Sequence, residues 1–400
     1  MNIAYVCDQY WPVISGVSVS NDMFKKHLEK LGCKVWFFVP DYPGAAELDR
    51  KMGNRDIFRF RSYPLFFNRE NRLVFKMEKN KLYKALDSIK PDIIHAHSEF
   101  SIAVMANKYA RSHNIPFIYT THTNWEELVS LYVPFFSNLI GRLYARQRLR
   151  RTWNRADLLI APTSLMEVLL QLYLVKVPVK VLPTGIDKSD FVSKNLGRKK
   201  ARDLIIKRHP ELKDKKILFF AGRIGMEKNI EFLIDSLAQL LPSMPEARLV
   251  IAGDGPAKPD IMKYTDGKGL SKHVIFTGFV ERTSLKEYYY AADVFVFASK
   301  VESQGLVALE AMACGTPVVA VGKMGTREVM GGDNGGFMVD DDLDMFTEKV
   351  ALLLNDKKLH KLKTAEALHH VEKWSMETMA LKQLNIYKSL VIKKSSAGKP

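Results

Sequence analysis

Short apolar runs alternate with amphipathic stretches along the whole chain. The runs are rich in β-branched and aromatic residues and predict buried strands, while apolar positions three and four apart predict helices between them. The predicted strands fall into two series, 2–7, 34–39, 92–96, 116–121, 157–161 and 179–182, and then 216–221, 248–252, 273–277, 293–297 and 317–321. The predicted helices are 17–31, 72–89, 100–113, 138–154, 229–241, 283–292, 305–314 and 343–355.

Near-continuous apolar strands separated by helices are typical of parallel sheets that are covered on both faces. Two such series predict an α/β protein with two doubly wound domains rather than one large sheet. The segment 188–214 is polar and charged and separates the last strand of the first series from the first strand of the second, so we expect the break between the domains near it. We therefore expect domains at 1–192 and 193–374. Ligands of such sheets bind beyond the carboxyl ends of the strands, so residues just after strands are the candidates for function.

The composition of the chain is that of an ordinary globular protein. Its 400 residues are 47% hydrophobic and 26% charged, which excludes a collagen-like, coiled-coil or mostly disordered chain. No apolar run reaches the length of about 18 residues that a transmembrane helix needs. Three cysteines (Cys7, Cys33 and Cys314) without a pairing pattern suit a reducing cytosol. The N-terminus has no basic stretch, so we expect no secretory signal.

The charge of the chain is less ordinary. The formal net charge is +16, with 31 basic and 18 acidic side chains in residues 1–200 and 29 and 26 in residues 201–400. Residues 51–155 alone hold 19 basic and 8 acidic side chains. A positive face of this kind attracts nucleic acid, anionic lipid or anionic small molecules, and composition does not choose among them.

Two glutamates mark the segment after the predicted strand 293–297. Glu302 lies in a loop and Glu310 lies about a turn and a half into the helix that Gly305 begins. The N–H groups at a helix start bind anionic or hydroxyl oxygens, and carboxylates accept bonds from sugar hydroxyls. This pattern favours a phosphorylated, hydroxyl-rich ligand. An N-terminal helix cap and a solvated helix face would explain the same two residues.

Strand ends elsewhere carry cations and glycines. Arg223 and Lys228 flank a tight turn before a helix and suit a diphosphate, although two exposed surface cations would look the same. The turn 253–256 (GDGP) resembles a dinucleotide turn only weakly, because GxGxxG is absent. The loop through Gly278 and Val280 could bring backbone close to a base ring. Gly16 begins a helix and could present N–H groups to phosphate, or be a simple loop glycine.

Histidines and aspartates raise the question of a metal. His95 and His97 lie on one face of a strand, but no carboxylate or cysteine ligand is evident nearby, so we expect no metal. His122 follows the strand 116–121 and is either in line with the ligand site or structural. The aspartates at 340, 342 and 344 have a spacing that could bind Mg²⁺, and helix capping explains them better.

The pattern of residues 136–155 predicts a basic helix with an apolar stripe formed by Phe136, Leu139, Ile140, Leu143 and Tyr144. Arg142, Arg146 and Arg148 lie away from its apolar stripe, whereas Arg150 and Arg151 return toward it. With the apolar stretch 128–136 before it, this helix suits a membrane interface. A core-packed helix with a basic solvent face is the alternative.

The motifs together resemble retaining glycosyltransferases of glycosyltransferase family 4, which have the GT-B fold. The resemblance rests on the SGV loop, PTGID (183–187), GRIGMEKN, GDGP and ESQGLVALE, which stand in the family's order over nearly the whole chain. It implies two Rossmann-like domains that face each other across a cleft, the first binding the acceptor at a membrane and the second binding a nucleotide sugar. It also implies that 375–400 is a C-terminal helix crossing back to the first domain, followed by a tail.

The resemblance assigns roles to individual residues. Arg223 and Lys228 are expected to bind the donor diphosphate, and Glu310 the ribose hydroxyls. Glu302 and the backbone of 304–306 are expected to contact the donor sugar. The residues expected to bind the donor are Gly16, Arg223, Lys228, Gly278, Val280, Glu302, Gln304, Gly305, Leu306 and Glu310. The residues expected at the reacting centre are His122, Glu302, Lys228 and Arg223.

The subgroup is suggested by two segments. ESQG at 302–305 and THTNWEEL at 121–128 look like the diacylglycerol glucosyltransferase branch, although related members often read TYHTxYE where this chain has TTHTNWE. The resemblance implies transfer of a hexosyl group to a membrane lipid, with diacylglycerol the expected acceptor, and with retention of configuration. The expected donor is UDP-glucose, and the expected transferred group is glucose. The enzyme would lie in the cytoplasm on the inner face of the membrane, with the five arginines 142, 146, 148, 150 and 151 at the lipid surface.

No cofactor, metal, nucleic acid or protein partner is expected. One alternative is a family 4 enzyme that acts on a soluble sugar, a polysaccharide precursor or another lipid. A different GT-B chemistry, such as an epimerase or phosphorylase, is a second. A basic nucleic-acid-binding protein is a third, but no nucleic-acid-binding motif occurs.

Overall fold

The computed structural model describes residues 1–13, 15–64, 72–122, 138–193, 195–302, 304–323 and 325–397. The chain divides into two compact units, of which the first comprises 1–185 and 376–400 and the second comprises 186–375. Each unit is built around one parallel sheet, so the fold class is α/β.

The first unit contains a seven-stranded parallel sheet with the strand order β3-β2-β1-β6-β7-β8-β9. Its strands are β1 (Asn2–Val6), β2 (Lys34–Pro40), β3 (Ile57–Phe60), β6 (Ile93–Ala96), β7 (Phe117–Thr120), β8 (Leu158–Ala161) and β9 (Val179–Val181), and a separate antiparallel pair is formed by β4 (Ser62–Pro64) and β5 (Arg72–Val74). Ala4 of β1 lies opposite Trp36 on one side and Ile94 on the other. The central strands are buried on both faces, which is why their sequences read as unbroken apolar runs.

Helices cover this sheet. They are α1 (Gly16–Lys30), α2 (Ala45–Met52), α3 (Lys79–Ile89), α4 (Ser101–Ser112), α5 (Asn138–Trp153) and α6 (Ser164–Leu172). Helix α1 begins with a reciprocal cap between Ser15 and Ser18. The apolar faces of α3 and α4 pack into the same core as the strands, with Leu82, Leu86 and Ile102 fully buried.

The second unit contains a six-stranded parallel sheet with the order β12-β11-β10-β13-β14-β15. Its strands are β10 (Lys216–Ala221), β11 (Ala247–Ala252), β12 (Val274–Gly278), β13 (Val294–Phe297), β14 (Val318–Val321) and β15 (Gly336–Val339). Its helices are α7 (Lys188–Phe191), α8 (Arg198–Arg208), α9 (Ile230–Leu240), α10 (Lys258–Gly267), α11 (Arg282–Ala291), α12 (Leu306–Ala313), α13 (Gly325–Met330), α14 (Leu343–Asn355) and α15 (Lys357–His370). Phe219 and Phe295 pair across the two central strands.

The last helix, α16 (Met376–Ala397), belongs to the first unit. The hydroxyl of Tyr387 lies 2.5 Å from His95 Nδ1, and Lys394 forms an ion pair of 2.7 Å with Asp157. Gln383 accepts a hydrogen bond from the Tyr5 hydroxyl. The chain thus ends on the sheet with which it began.

The division between the units falls between Gly185 and Ile186, next to the predicted break at 188–214, but that segment is itself folded. This segment forms α7 and α8, and its apolar residues Phe191, Ala201 and Ile205 are buried in the core of the second unit. Arg202 forms an ion pair of 2.9 Å with Asp293. Residues 186–192, which we placed in the first domain, therefore belong to the second unit. Most charged residues of the segment lie on the outer face of α8, and their number makes the apolar pattern of its buried face hard to detect in the sequence.

The sequence analysis also missed two edge strands and placed the start of one helix too early. Strands β3 and β15 lie at sheet edges, where exposure and an interrupting Arg59 or glycine weaken the apolar pattern. The predicted helix 72–89 begins only at Lys79, because Arg72–Val74 pairs with Ser62–Pro64 instead. All eleven strands of the predicted series are present.

Candidate functional site

The strand order of the second unit reverses between β10 and β13. Parallel strands that neighbour each other at such a reversal send their following loops apart, which opens a crevice at the carboxyl edge of the sheet. The loop after β10 carries Arg223 and Lys228, and the loop after β13 carries Glu302 and Gly305. Two motifs that lie about 75 residues apart in the sequence therefore meet at one place.

Lys228 and Glu302 form the central contact of this site. The Lys228 Nζ donates to Glu302 Oε2 over 2.6 Å, and the two side chains are only 17% and 18% exposed. The two loops are also joined through the backbone, because the Lys300 N–H donates to the Glu227 carbonyl over 2.8 Å. The Lys228 ammonium lies 5.8 Å from the centre of the Phe297 ring. The lysine is therefore held in place at the crevice, paired with a carboxylate.

Arg223 is held in a similar way. Its Nη2 donates to Glu227 Oε1 over 2.8 Å, and Glu227 is buried. Residues 226–228 form a single 3₁₀ turn, and Asn229 takes a left-handed conformation before helix α9. This turn presents the two cations, which are five residues apart in the sequence, at the same strand end. An anionic group entering here could exchange places with either carboxylate.

Gly305 shapes the start of helix α12. It is the N-terminal cap with φ +85°, and a Cβ there would lie 3.3 Å from the Thr326 hydroxyl oxygen. No side chain caps this helix at Gly305, and Gln304 beside it is buried. The Glu302 carbonyl accepts a bond from the Gly325 N–H over 3.0 Å, which ties this loop to helix α13. Leu306, the first helical residue, is half-buried.

Glu310 is buried and serves as an acceptor for two protein groups. Arg282 Nη1 donates to Oε1 over 2.9 Å, and the Tyr289 hydroxyl donates to Oε2 over 2.8 Å. Burial and the neighbouring Glu310 raise the pKa of Tyr289 well above its usual value, so the phenol stays protonated. Arg282 also lies over the Phe191 ring at 5.1 Å. Each carboxylate oxygen has a second lone pair, which can accept a further hydrogen bond from a hydroxyl. Binding of ribose by Glu310 stays a prediction.

The glycines after β11 are required by a close approach between loops. Gly253 has φ +153°, and a Cβ there would lie 1.8 Å from the Gly222 carbonyl oxygen. The Gly253 N–H donates to the Gly278 carbonyl over 2.9 Å. The strand-end loops thus touch through bare backbone, which explains the GDGP sequence without a dinucleotide site. Val280 is half-buried, and contact of the 278–280 loop with a base stays a prediction.

The first unit places three histidines in a row. His122 Nε2 is hydrogen-bonded to His97 Nδ1 over 3.0 Å, and the His97 and His95 rings lie 4.1 Å apart. Burial lowers the pKa of His122 to about 4, and burial and the neighbouring histidines lower the pKa of His97 well below its usual value. All three rings are therefore neutral near pH 7. His97 Nε2 is buried without a hydrogen-bond partner among the described residues.

Gly16 and the five arginines also belong to the first unit. Gly16 is the first residue of α1, and a Cβ there would meet no described atom within 4 Å, so the fold itself does not require glycine. On α5, Arg148 and Arg151 are exposed, whereas Arg142, Arg146 and Arg150 are half-buried. The helix 138–154 is confirmed as Asn138–Trp153, but Leu143 and Tyr144 of its predicted apolar stripe are exposed. The stretch 128–136 and Ser303 lie outside the described residues.

The metal candidates are placed apart. Asp342 caps helix α14 by accepting the Met345 N–H over 2.9 Å, as expected, and Asp340 faces Arg327. Within the described ranges, no group of three or more His, Cys, Asp or Glu side chains is arranged to hold a metal ion. His95 is engaged by Tyr387 and Thr120.

Sequence reasoning missed the residues that hold the candidates in position. Glu227 holds Arg223, Arg282 and Tyr289 hold Glu310, and His97 holds His122. Glu227 could have been found from its position four residues after Arg223. Arg282 could have been found from its place after the 278–280 loop, since strand-end residues of one sheet edge converge.

Comparison with solved structures identifies the class of protein. The crystal structure of Anabaena Alr3699/HepE in complex with UDP superposes with a TM-score of 0.77, covering 97% of this chain and 100% of that one at 18% identity. Sucrose-phosphate synthase from Thermosynechococcus elongatus gives 0.77 at 20% identity, covering 98% and 99%. These likenesses and the two Rossmann-like sheets define the GT-B fold.

Comparison of sequences identifies the family. Residues 14–190 match the Glycosyltransferase Family 4 model, and residues 201–368 match Glycosyl transferases group 1. The alpha-monoglucosyldiacylglycerol synthase of Streptococcus pneumoniae is 33% identical over 327 residues, covering 80% of this chain and 71% of that protein. The protein of the same name from Acholeplasma laidlawii is 28% identical, covering 80% of both. The chain belongs to the GT-B glycosyltransferases of this family, as the motifs predicted.

Proposed function

We propose that this protein transfers a glucosyl group from UDP-glucose to diacylglycerol at a membrane surface, with retention of configuration. The relatives from S. pneumoniae and A. laidlawii carry a name that specifies this kind of product. The choice of UDP and of glucose follows the family resemblance. The basic first half of the chain suits an acceptor that lies in an anionic lipid surface.

The observation that carries the proposal is the Lys228–Glu302 pair at the crevice. A diphosphate has more negative charge than a carboxylate and binds an ammonium more strongly, so it would take Lys228 from Glu302. Glu302 would then be free to accept hydrogen bonds from hydroxyls of the donor sugar. Arg223 could make the same exchange with Glu227. One binding event would thus place cations on the diphosphate and a carboxylate on the sugar.

The proposed chemistry follows from where charge develops. As the bond between the anomeric carbon and the diphosphate oxygen breaks, negative charge grows on the leaving group, and Lys228 and Arg223 stabilise it. The acceptor hydroxyl attacks from the face that the leaving group vacates, and a donor phosphate oxygen takes its proton. Retention follows from this same-face attack. We propose that no bound cofactor is required, because the nucleotide sugar is itself the activated substrate.

The proposed location is the inner face of the cell membrane, with peripheral attachment. The described part of the chain contains no helix with both the length and the apolar character needed to cross a bilayer. The arginines of α5 would contact anionic head groups, each contributing about 1 kcal/mol near the surface.

The test is a transfer assay with the purified full chain. UDP-glucose labelled in the sugar is incubated with diacylglycerol in mixed micelles, with and without phosphatidylglycerol, and UDP release and labelled lipid are followed together. The Lys228→Met variant is the negative control. We expect a labelled glycolipid whose anomeric proton coupling identifies an α linkage, and more product with phosphatidylglycerol.

Other outcomes separate the alternatives. Release of UDP without labelled lipid overturns the diacylglycerol acceptor and directs the search to soluble sugars. A β-linked product overturns retention. If the enzyme turns over only with another nucleotide sugar, the assignment of UDP-glucose as donor is overturned but the transferase reaction stands. If the enzyme is inactive with every nucleotide sugar tested, the proposed reaction is overturned.

A further inference from the structure

Helix α6 of the first unit has an apolar face that is open to solvent. Leu165, Val168 and Leu172 are spaced three and four residues apart and are 46%, 49% and 66% exposed. This spacing places them on one side of the helix. The other side carries Met166 and Leu170, which are buried in the core of the unit. Ser164, Glu167 and Gln171 form a third, polar side, so the helix has two apolar sides, of which the fold covers one.

Leu174, two residues after the helix, extends this face and is held in an unfavourable backbone conformation. It is 64% exposed and has φ +57°, in the left-handed region where a helix usually ends with glycine or asparagine. A leucine here strains the backbone, and its exposed side chain gives little to the core in return. Folding stability therefore does not explain a leucine at this position.

The basic helix α5 ends beside this face. Tyr173 stacks on Trp153 of α5 with ring centres 6.2 Å apart, and the Arg146 guanidinium lies 4.7 Å from the Tyr173 ring centre. The Lys176 N–H donates to Asn154 Oδ1 over 2.8 Å. The two helix ends are thus joined, and cations and exposed apolar side chains come together on one region of the surface.

The charge of the segment 142–180, which contains most of α5 and the whole of α6, is strongly one-sided. Two side chains of 142–180 are acidic (Asp157 and Glu167) and eight are basic, namely Arg142, Arg146, Arg148, Arg150, Arg151, Arg155, Lys176 and Lys180. Asp157 is already paired with Lys394. A second copy of the chain would bring two positive surfaces together across a symmetric contact, which is unfavourable. An anionic bilayer matches both the apolar side chains and the cations.

We propose that Leu165, Val168, Leu172 and Leu174, here called the α6 surface, insert into the interface of an anionic bilayer while the neighbouring cations bind its head groups. This adds an insertion site outside the 128–155 segment and rests on the proposed function only for the presence of a lipid acceptor. Apolar side chains at the level of the acyl boundary supply the attachment, and cations make it selective for anionic lipid. The same contact would hold the first unit at the depth of the acceptor.

The test compares vesicle binding of three proteins. The first is the wild-type chain, the second is Leu165→Ser/Leu172→Ser/Leu174→Gly, and the third is Leu362→Ser/Leu368→Ser, a control with exposed leucines on α15 of the second unit. Binding is measured by cosedimentation with vesicles of phosphatidylglycerol and phosphatidylcholine and with vesicles of phosphatidylcholine alone. We expect the triple variant to bind the anionic vesicles at least about tenfold more weakly, with the control unchanged.

A second measurement separates insertion from folding and from the proposed reaction. Leu174→Gly alone should keep or raise the melting temperature, because glycine accepts φ +57° without strain, yet it should weaken vesicle binding. UDP release with a short-chain, monomeric diacylglycerol should be unchanged in the triple variant. If vesicle binding of the triple variant equals wild type, the inference is overturned even if glycolipid forms. If vesicle binding of the triple variant falls as expected but neither the wild type nor any variant transfers sugar to diacylglycerol, only the proposed function fails.

A change in oligomeric state would point to another occupant. Light scattering coupled to size exclusion should give the same mass for wild type and triple variant. A wild-type dimer that the triple variant dissociates, together with unchanged vesicle binding, would assign the α6 surface to self-association and overturn its membrane role.

Discussion

Replacing Lys228 by methionine tests the proposed site most directly. Methionine keeps most of the side-chain length and apolar stem but removes the charge that now pairs with Glu302 at 2.6 Å. Both side chains are less than one-fifth exposed, so this pair is less screened than a surface ion pair. The substitution therefore removes one cation from the place where the leaving diphosphate is proposed to lie.

The size of the effect can be worked from this environment. A unit charge about 4 Å from an ammonium gains about 4 kcal/mol at an effective dielectric constant of about 20. Only the charge that develops in the transition state counts toward kcat, and Arg223 shares it, so we expect a loss of about 2–4 kcal/mol. At about 1.4 kcal/mol per factor of ten, turnover should fall about 30-fold to 1000-fold.

The assay is steady-state nucleotide release with the donor identified in the transfer experiment. We expect kcat to fall more than KM rises, since the interaction strengthens as the bond breaks. Lys263→Met, which removes an exposed lysine from helix α10, should keep wild-type kinetics. Melting curves check folding, and the loss of the pair should cost about 1–2 kcal/mol. A folded Lys228→Met protein with kcat/KM within about threefold of wild type would refute the role of this cation, because that ratio corresponds to less than about 1 kcal/mol.

Three further substitutions follow from the described contacts. Glu310→Gln should lower the free energy of unfolding by about 1–3 kcal/mol, because it removes the closer of the two carboxylates that face Arg282, and urea denaturation measures this loss. Gly253→Ala should destabilise the second unit by more than about 3 kcal/mol, because its Cβ would lie 1.8 Å from a carbonyl oxygen. Gly267→Ala is the matched control, because its Cβ would meet no described atom within 4 Å, and its melting temperature should equal or exceed that of the wild type. Equal melting temperatures of the Gly253→Ala and Gly267→Ala variants would contradict the predicted clash. Burial lowers the pKa of His122 to about 4, from about 6.5 in an unfolded chain, so its neutral ring contributes stability that is fully present above about pH 6.5 and is lost as the pH falls toward 4. His122→Gln should flatten the melting temperature against pH in this window, and an unchanged acid limb would contradict the assignment.

The α/β class, the two sheets and their central strands could be predicted from sequence because burial on both faces leaves a direct trace. A central parallel strand has no solvent side, so β1, β6, β10 and β13 read as nearly continuous apolar runs. The candidates at strand ends followed from the same logic, since parallel strands place their following loops at one edge. Gly305 and the glutamates at 302 and 310 were therefore assigned to a ligand site before any distance was known.

The contacts within the site depend on strand order, which no local pattern contains. Lys228 meets Glu302 because β10 neighbours β13, although two strands and three helices lie between them in the sequence. The helical nature of 188–214 was hidden for a related reason, since a helix with a narrow buried face and many charges looks like a linker until the core it covers is known. The sequence determines which residues are suited to bind charge and hydroxyls, because that is a property of each side chain. Only the tertiary structure decides which carboxylate holds which cation, because that depends on groups brought together by the packing of distant segments.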